Sequence, residues 1–343
     1  MATQTLPTPA VVADSADKLV RDLEGSATLP LWAQMAKLNP ALPNPRCTPH
    51  VWRYDEVRPY LLRAGQVVSE KQAERRVLML VNPGRNEAPY TTDTIYGGLQ
   101  LVMPNETAAA HRHVAFAMRF IIEGNGGFTA VHGRRVQMNR GDVILTPRWN
   151  WHDHGKDGSG PMIWLDGLDL PQFRHFPVHF VEHFKDPRYP AEDIDTDASP
   201  IVFKWHKMQA RLDAQAGDWA SQRYTRNDGS EVSKTLGAAA ERVTAGKSSP
   251  IRQETASSMY HVVSGSGRTI IYGPDNEEEK LTWKRNDTFC IPTWARFQHF
   301  ADCADGAGGA GDVYLFRCDD VPMITSLGFY RTSEDDAEGL VSH

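Results

Sequence analysis

The sequence predicts an all-β dominated chain: two antiparallel β-barrel (jelly-roll) domains behind an N-terminal helical arm. Three observations carry this expectation. From residue 76 onward, short apolar segments alternate with Gly, Pro, Asn and Asp, the punctuation that antiparallel sheets need. The chain also repeats itself: a shift of 141 lays AMRFIIEGNG at 117 on SMYHVVSGSG at 258, and a shift of 145 lays RGDVILTPRW at 140 on RNDTFCIPTW at 285. Finally, 343 residues with 41% hydrophobic content are enough to fill two cores.

The elements follow in order. Residues 14–38 read as helical, and Pro40, Pro43, Pro45 and Pro49 then enforce an extended connector, so residues 1–50 form the arm. The first barrel, 51–184, takes strands at 76–81, 95–103, 111–123, 127–132 and 142–146. Residues 185–250 are polar and interrupted by Pro and Gly, apart from a helical piece near 205–215, and read as a linker. The second barrel is 251–343.

The chemistry concentrates in histidines. A strand turns successive side chains to opposite faces, so His111 and His113 share a face from which Arg112 is turned away. Along 111–123 the odd positions run His111, His113, Ala115, Ala117, Arg119, while the even positions Val114, Phe116, Met118 and Phe120 are apolar packing. Gly141, the apolar run 143–145 and Pro147 return the chain toward the same interior at His152, giving a metal set of His111, His113 and His152. Two small alanines leave room there for an anion beside Arg119. In the second barrel the same shifts place Arg252, Glu254 and Phe297 at the ligand positions, which predicts one metal per chain.

Further candidates surround this set. His154 follows His152 by two residues, so it shares the face and is read as an acid/base or oxygen-binding group. Tyr96, Gly98 and Gln100 share one strand face, and Asp166 shares another with Trp164; all four are read as substrate contacts. His132, His175, His179 and His183 carry no spacing signal and are read as surface or linker residues.

The stretches HRHVAFAMRFIIEG and GDVILTPRWNWHDHGK resemble the two short motifs of the cupin superfamily, matching at His111, His113, Gly124, Gly141, Pro147 and His152. Ala117 stands where most cupins carry a glutamate ligand, and Trp149 where a glycine is usual. The wider run, from ERRVLMLVNPG through TIYGGLQLVMP to PMIWLDGLDLP, resembles the gentisate 1,2-dioxygenase family and its salicylate and 1-hydroxy-2-naphthoate relatives, over most of residues 50 to 330. The resemblance implies a bicupin holding one Fe(II) per chain. It implies bidentate binding of an ortho-hydroxy carboxylate, an open position for O2, and cleavage between the carboxyl- and hydroxyl-bearing carbons. It favours Arg75 over Arg76 as a pocket residue, gives Arg119 the substrate carboxylate, and points to a homotetramer or homodimer. Gentisate to maleylpyruvate is the expected reaction, with salicylate or 1-hydroxy-2-naphthoate as the alternative ring. A zinc-dependent cupin hydrolase or isomerase, or a non-catalytic binding bicupin, is the alternative of another class. Imidazole ligands by themselves do not select iron.

Composition narrows the partners. A net charge of −6 without a basic block argues against nucleic acid. Cys47, Cys290, Cys303 and Cys318 lack paired metal or disulfide spacing, which points to a reducing cytoplasm. The opening MATQTLPTPAVVADSADKL has neither a basic n-region nor an apolar core, and no run approaches a membrane span.

Overall fold

The computed structural model describes residues 13–273, 277–303 and 311–333. The first twelve residues, on which the leader-peptide reading partly rests, and the end of the second domain from 334 lie outside the described residues. Two compact units divide the chain, 1–44 and 45–343.

In the first unit the expected continuous helix over 14–38 breaks into pieces. Helix Ala13–Asp22 ends ahead of Gly25, whose φ of +84° is cheap only for glycine, and Pro30 then precedes a short turn and helix Met35–Leu38. Punctuation outweighs the helical pattern here.

The second unit holds both repeats. The first repeat has two six-stranded sheets. One runs, in spatial order, Val202–Phe203, Val143–Thr146, Ala117–Glu123, Met162–Leu168, Tyr96–Val102, Val77–Met79; the other runs Val181–His183, Thr107–His113, His152–Lys156, Gly127–Val131, Arg134–Met138, Glu192–Asp193. The second repeat has a six-stranded sheet, His50–Trp52, Thr288–Ile291, Ser258–Ser264, Val313–Asp319, Gly237–Val243, Trp219–Arg223, facing a three-stranded one. All pairings are antiparallel except Glu192–Asp193 against Arg134–Arg135. The two long sheets have the same order, element for element. Even the irregularity recurs: pairing skips Ile122 opposite Ile163 and Trp164, and skips Val263, the same position 141 residues on, opposite Tyr314 and Leu315.

The edge strands refine the expected domain boundaries. His50–Trp52, at the start of the chain segment assigned to the first domain, pairs with Thr288–Ile291 of the second repeat. Little of 185–250 serves as a bare link, because 192–193 and 202–203 pair into the first repeat while 219–223 and 237–243 pair into the second. The two edge strands are built alike. Each runs into a helix, Tyr54–Val67 or Trp205–Asp213, whose first amide donates to a buried aspartate: Tyr54 N–H to Asp287 at 2.9 Å, and Trp205 N–H to Asp142 at 3.0 Å. Each is seconded by a cation, Arg53 on Asp287 at 3.1 Å and Lys204 on Asp142 at 2.7 Å. The acid satisfies an orphan N-terminal amide and meets the positive end of the helix dipole. Sequence reading found the helix at 205 and missed the one at 54, where Pro59 and scattered charges mask the period.

The even face of Ala117–Glu123 is apolar as expected, and it packs against the other repeat. Met118, Phe120 and Ile122 join Met259, Val263, Phe316 and Cys318 in the largest core, with Phe120 stacked on Phe316 at 4.9 Å. Full burial of each such side chain contributes about 1.5–3 kcal/mol, so the long sheets are held back to back. The odd face is left to look into the first repeat. The expected single strand 111–123 is divided at Val114–Phe116, where Asp169 accepts the Phe116 amide at 2.9 Å and the chain passes from one sheet to the other.

Candidate metal centre and substrate pocket

His111 and His113 leave the end of Thr107–His113, and His152 opens the neighbouring strand, paired directly opposite His111. The three ring nitrogens lie within 4.8 Å of one another, and this is the one such group among the described residues. Their rings pack at 4.2–5.2 Å between centroids. Two tautomers are set by backbone. His113 Nδ1–H donates to Ala115 O at 2.8 Å and His152 Nδ1–H to Asn150 O at 2.9 Å, so each Nε2 keeps its lone pair for an ion. His152 Nε2 is buried and has no partner, which is how a metal ligand presents itself before its ion is counted. Burial, with Arg75 next in weight, lowers His111 to about 2, and burial lowers His113 to about 4, so both rings are neutral and ready to coordinate. The set fits a divalent cation.

A cavity of about 240 Å³ opens beside the rings. Its wall includes Arg75, Val77, Tyr96, Gln100, Arg119, Asp166, Leu168 and Leu170 with the three histidines. Arg119, 4% exposed, donates to Thr146 Oγ1 and lies 3.3 Å from Asp166. Trp164 Nε1 donates to the same carboxylate oxygen at 3.0 Å. Burial raises Asp166 to about 6 against the pull of Arg119. Gln100 is 3% exposed and its amide nitrogen has no partner, a donor waiting in a dry wall. Arg75 rests its guanidinium on the His111 ring, while Arg76 is turned away into an ion pair with Glu106 at 2.6 Å.

The sequence-predicted residues therefore divide. Tyr96, Gln100, Arg75, Arg119 and Asp166 are brought to the cavity with the histidines. Gly98 does not line it; a Cβ there would stand 2.6 Å from Tyr96 Oη and 2.7 Å from Val77 Cγ1, so the glycine makes room for the tyrosine that does. Ala115 and Ala117 are fully buried and do not line the cavity either: Ala115 lies in the sheet crossing at 114–116, and Ala117 shares the strand face of Arg119 but its methyl is covered. His154 sits behind the wall, 1% exposed, its ring 5.8 Å from His152 and 5.3 Å from Trp164, with both nitrogens unpartnered. Sequence reading missed His179 and Val181, which line the cavity from an exposed strap. The alternation in 181–183 was the one available cue.

In the second repeat the equivalent interior is filled. Arg252, at the position of His111, is paired to Glu241 at 2.8 Å, and Arg317 and Tyr260 complete the cluster. Burial pushes Glu241 up, but Arg252 and Arg317 outweigh it and hold the carboxyl at about 2.

Residues 98–167 match the family model described as Cupin domain. Along its length the chain is 32% identical to gentisate 1,2-dioxygenase 1 of Aquipseudomonas alcaligenes, covering 91% of this chain and 94% of that protein. It is 31% identical to a 1-hydroxy-2-naphthoate 1,2-dioxygenase of Nocardioides sp., covering 83% and 79%. The solved salicylate 1,2-dioxygenase of Pseudaminobacter salicylatoxidans superposes with a TM-score of 0.83 at 30% identity, over 96% of this chain and 99% of that one. Matched over nearly its whole length and carrying a three-histidine centre where the histidine spacing predicts it, this chain belongs to the gentisate 1,2-dioxygenase family of ring-cleaving cupin dioxygenases.

Proposed function

We propose that the chain uses Fe(II), one per chain, to cleave gentisate with O2 to maleylpyruvate, both oxygen atoms entering the product. The observation that carries this reading is the unpartnered His152 Nε2 beside a cavity that the buried Arg119 also lines. Bound at the three imidazoles, iron would hold the ring acid beside dioxygen and carry electrons between them. The chain's own residues do the rest. Arg119 and Arg75 are the two cations of the pocket and take the substrate carboxylate; a charge-assisted bond in so dry a wall orients as well as binds. Asp166 tethers Arg119 and keeps its fork aimed inward. Gln100 Nε2 donates to a ring substituent, and Tyr96 forms the flat wall against which the ring lies. His154, held neutral by burial behind the wall, acts as a neutral hydrogen-bonding group rather than as a standing positive charge.

The homo-oligomer, dimer or tetramer, is part of the same reading. Leu29, Leu31, Trp32 and Leu38 of the arm are 59–78% exposed, apolar side chains that a second copy would cover.

The deciding experiment is oxygen uptake by the Fe(II)-loaded protein with gentisate, salicylate and 1-hydroxy-2-naphthoate in parallel. Gentisate is expected to be consumed fastest, with equimolar O2. Uptake with the other two acids and none with gentisate overturns the substrate assignment; none with any acid overturns the reading as a whole.

A further inference from the structure

Trp149 holds a φ of +60°, the left-handed conformation that glycine adopts freely and an indole-bearing residue pays to keep. Its amide donates to His113 O at 2.9 Å, so the turn itself belongs to the ligand strand. The Trp149 ring lies 4.6 Å from the Arg112 guanidinium, and the Trp151 ring also takes that guanidinium on its face, at 4.5 Å. Arg112 is the residue between the two ligands, turned away from the cavity. From between the two indoles it reaches Glu182 at 2.6 Å.

Glu182 belongs to the strap that runs beside the ligand strand, with Val181 opposite His113, Glu182 opposite Arg112 and His183 opposite His111. The strap carries His179 and Val181 into the cavity wall. Backbone bonds extend the ladder at both ends, Val114 N–H to Phe180 O at 3.3 Å and Phe184 N–H to Ala110 O at 2.9 Å, and the ion pair with Arg112 is the one salt bridge on the strap among the described residues. Its side chains are mostly exposed, Phe180 at 57% and Val181 at 47%, and Phe180 and Phe184 touch the same two indoles, at 4.4 and 5.2 Å. An exposed ion pair alone holds weakly, and a guanidinium stacked between two rings holds better. In the second repeat Trp294 has the same left-handed φ of +64° with no guanidinium on its ring among the described residues; Gln253, at the position of Arg112, donates to its backbone oxygen instead, so the stacked arginine is particular to the first repeat.

We infer that Arg112, clamped between Trp149 and Trp151, is a positioning residue: it fastens the strap 179–184 over the metal cavity and so fixes the His179 and Val181 wall against which the ring acid binds. This rests on the ring-acid reading above. Strap order sets how tightly substrate is held and leaves the chemistry at the histidines untouched.

The test uses Arg112→Lys, which keeps the charge but loses the planar stack, and Trp149→Gly, which keeps the backbone turn and removes the ring. Hydrogen exchange and substrate kinetics are measured on both at equal metal content. Exchange at the amides of 181–184 is expected to quicken by about tenfold in each, with the rest of the first repeat unchanged. KM for gentisate is expected to rise by roughly five- to tenfold while kcat stays within about twofold. Unchanged exchange in both variants overturns the clamp. Quickened exchange with KM unmoved overturns the strap's part in the pocket. Should the wild type turn over no ring acid, the function reading fails separately; exchange still decides the clamp, and equilibrium dialysis of salicylate replaces KM, equal affinity in wild type and variants overturning the wall.

Discussion

The two repeats of this chain share a sheet order, a bulge position and an aspartate that caps a helix, yet one opens a cavity beside three histidines and the other fills the same positions with a charge cluster. In the first, the interior positions hold His111, Gln100 and Arg119 with donors left free. In the second, the matching interior holds Arg252, Glu241 and Tyr260, bonded to one another. The carboxylates report the difference. Asp166, facing a cavity with one arginine in contact, is raised to about 6, while Glu241, between two arginines, is held at about 2. A buried charge that is fully paired is structure; one left with room beside it is a place for a ligand.

The sharpest way to break this comparison is to count metal. His113→Ala is expected to take metal content from one ion per chain to background, with the second repeat contributing none. Elemental analysis finding two ions in the wild type, or full occupancy in the variant, would erase the distinction between the repeats.

The next largest effect belongs to the sealed side. Glu241→Gln leaves Arg252 and Arg317 buried beside a neutral partner, and breaking such a cluster costs about 3–5 kcal/mol. Urea titration should show the loss, with metal binding retained in protein that stays folded. The pH dependence adds a sign. Because Glu241 is lowered from 4.5 to about 2, its contribution is present above pH 4.5 and drains away as pH falls toward 2. Asp166 works the other way: raised from 3.8 to about 6, it favours the fold below pH 3.8 and loses that share as pH rises through 6. Glu241→Gln should therefore flatten the acid limb of the stability profile, and Asp166→Asn should lift stability at pH 7 relative to pH 4. The same slope in both variants would contradict the assignment.

On the cavity side, Arg119→Leu removes a charge-assisted bond worth about 1.5–3 kcal/mol, so KM for gentisate should rise roughly 10- to 150-fold. Unchanged KM and kcat would place Arg119 outside the productive pocket. Smallest is Gly98→Ala, whose Cβ pushes on Tyr96 Oη and Val77. Overpacking of about 1 kcal/mol should penalise 1-hydroxy-2-naphthoate roughly fivefold more than gentisate, and equal kcat/KM ratios would show that Tyr96 does not gauge ring size.

Much of this was written locally. The period-two histidines, the repeat and the substitution of Arg252, Glu254 and Phe297 for the ligands are properties of short windows, and a strand converts them directly into faces. The same rule located Tyr96, Gln100 and Asp166 on inward faces. It failed at Ala115, because a face persists only as long as the strand, and the chain changes sheets at 114–116, while Ala117 keeps the parity of Arg119 but is covered. Nothing local shows that His50–Trp52 completes the sheet of a repeat more than two hundred residues away, or that the even face of 117–123 is reserved for that repeat. Those choices are made by which apolar surface finds which, an energy summed over partners distant in sequence. His179 is the plainest case: an exposed residue without period, brought to the cavity because the strap behind it pairs with the strand that carries His111 and His113.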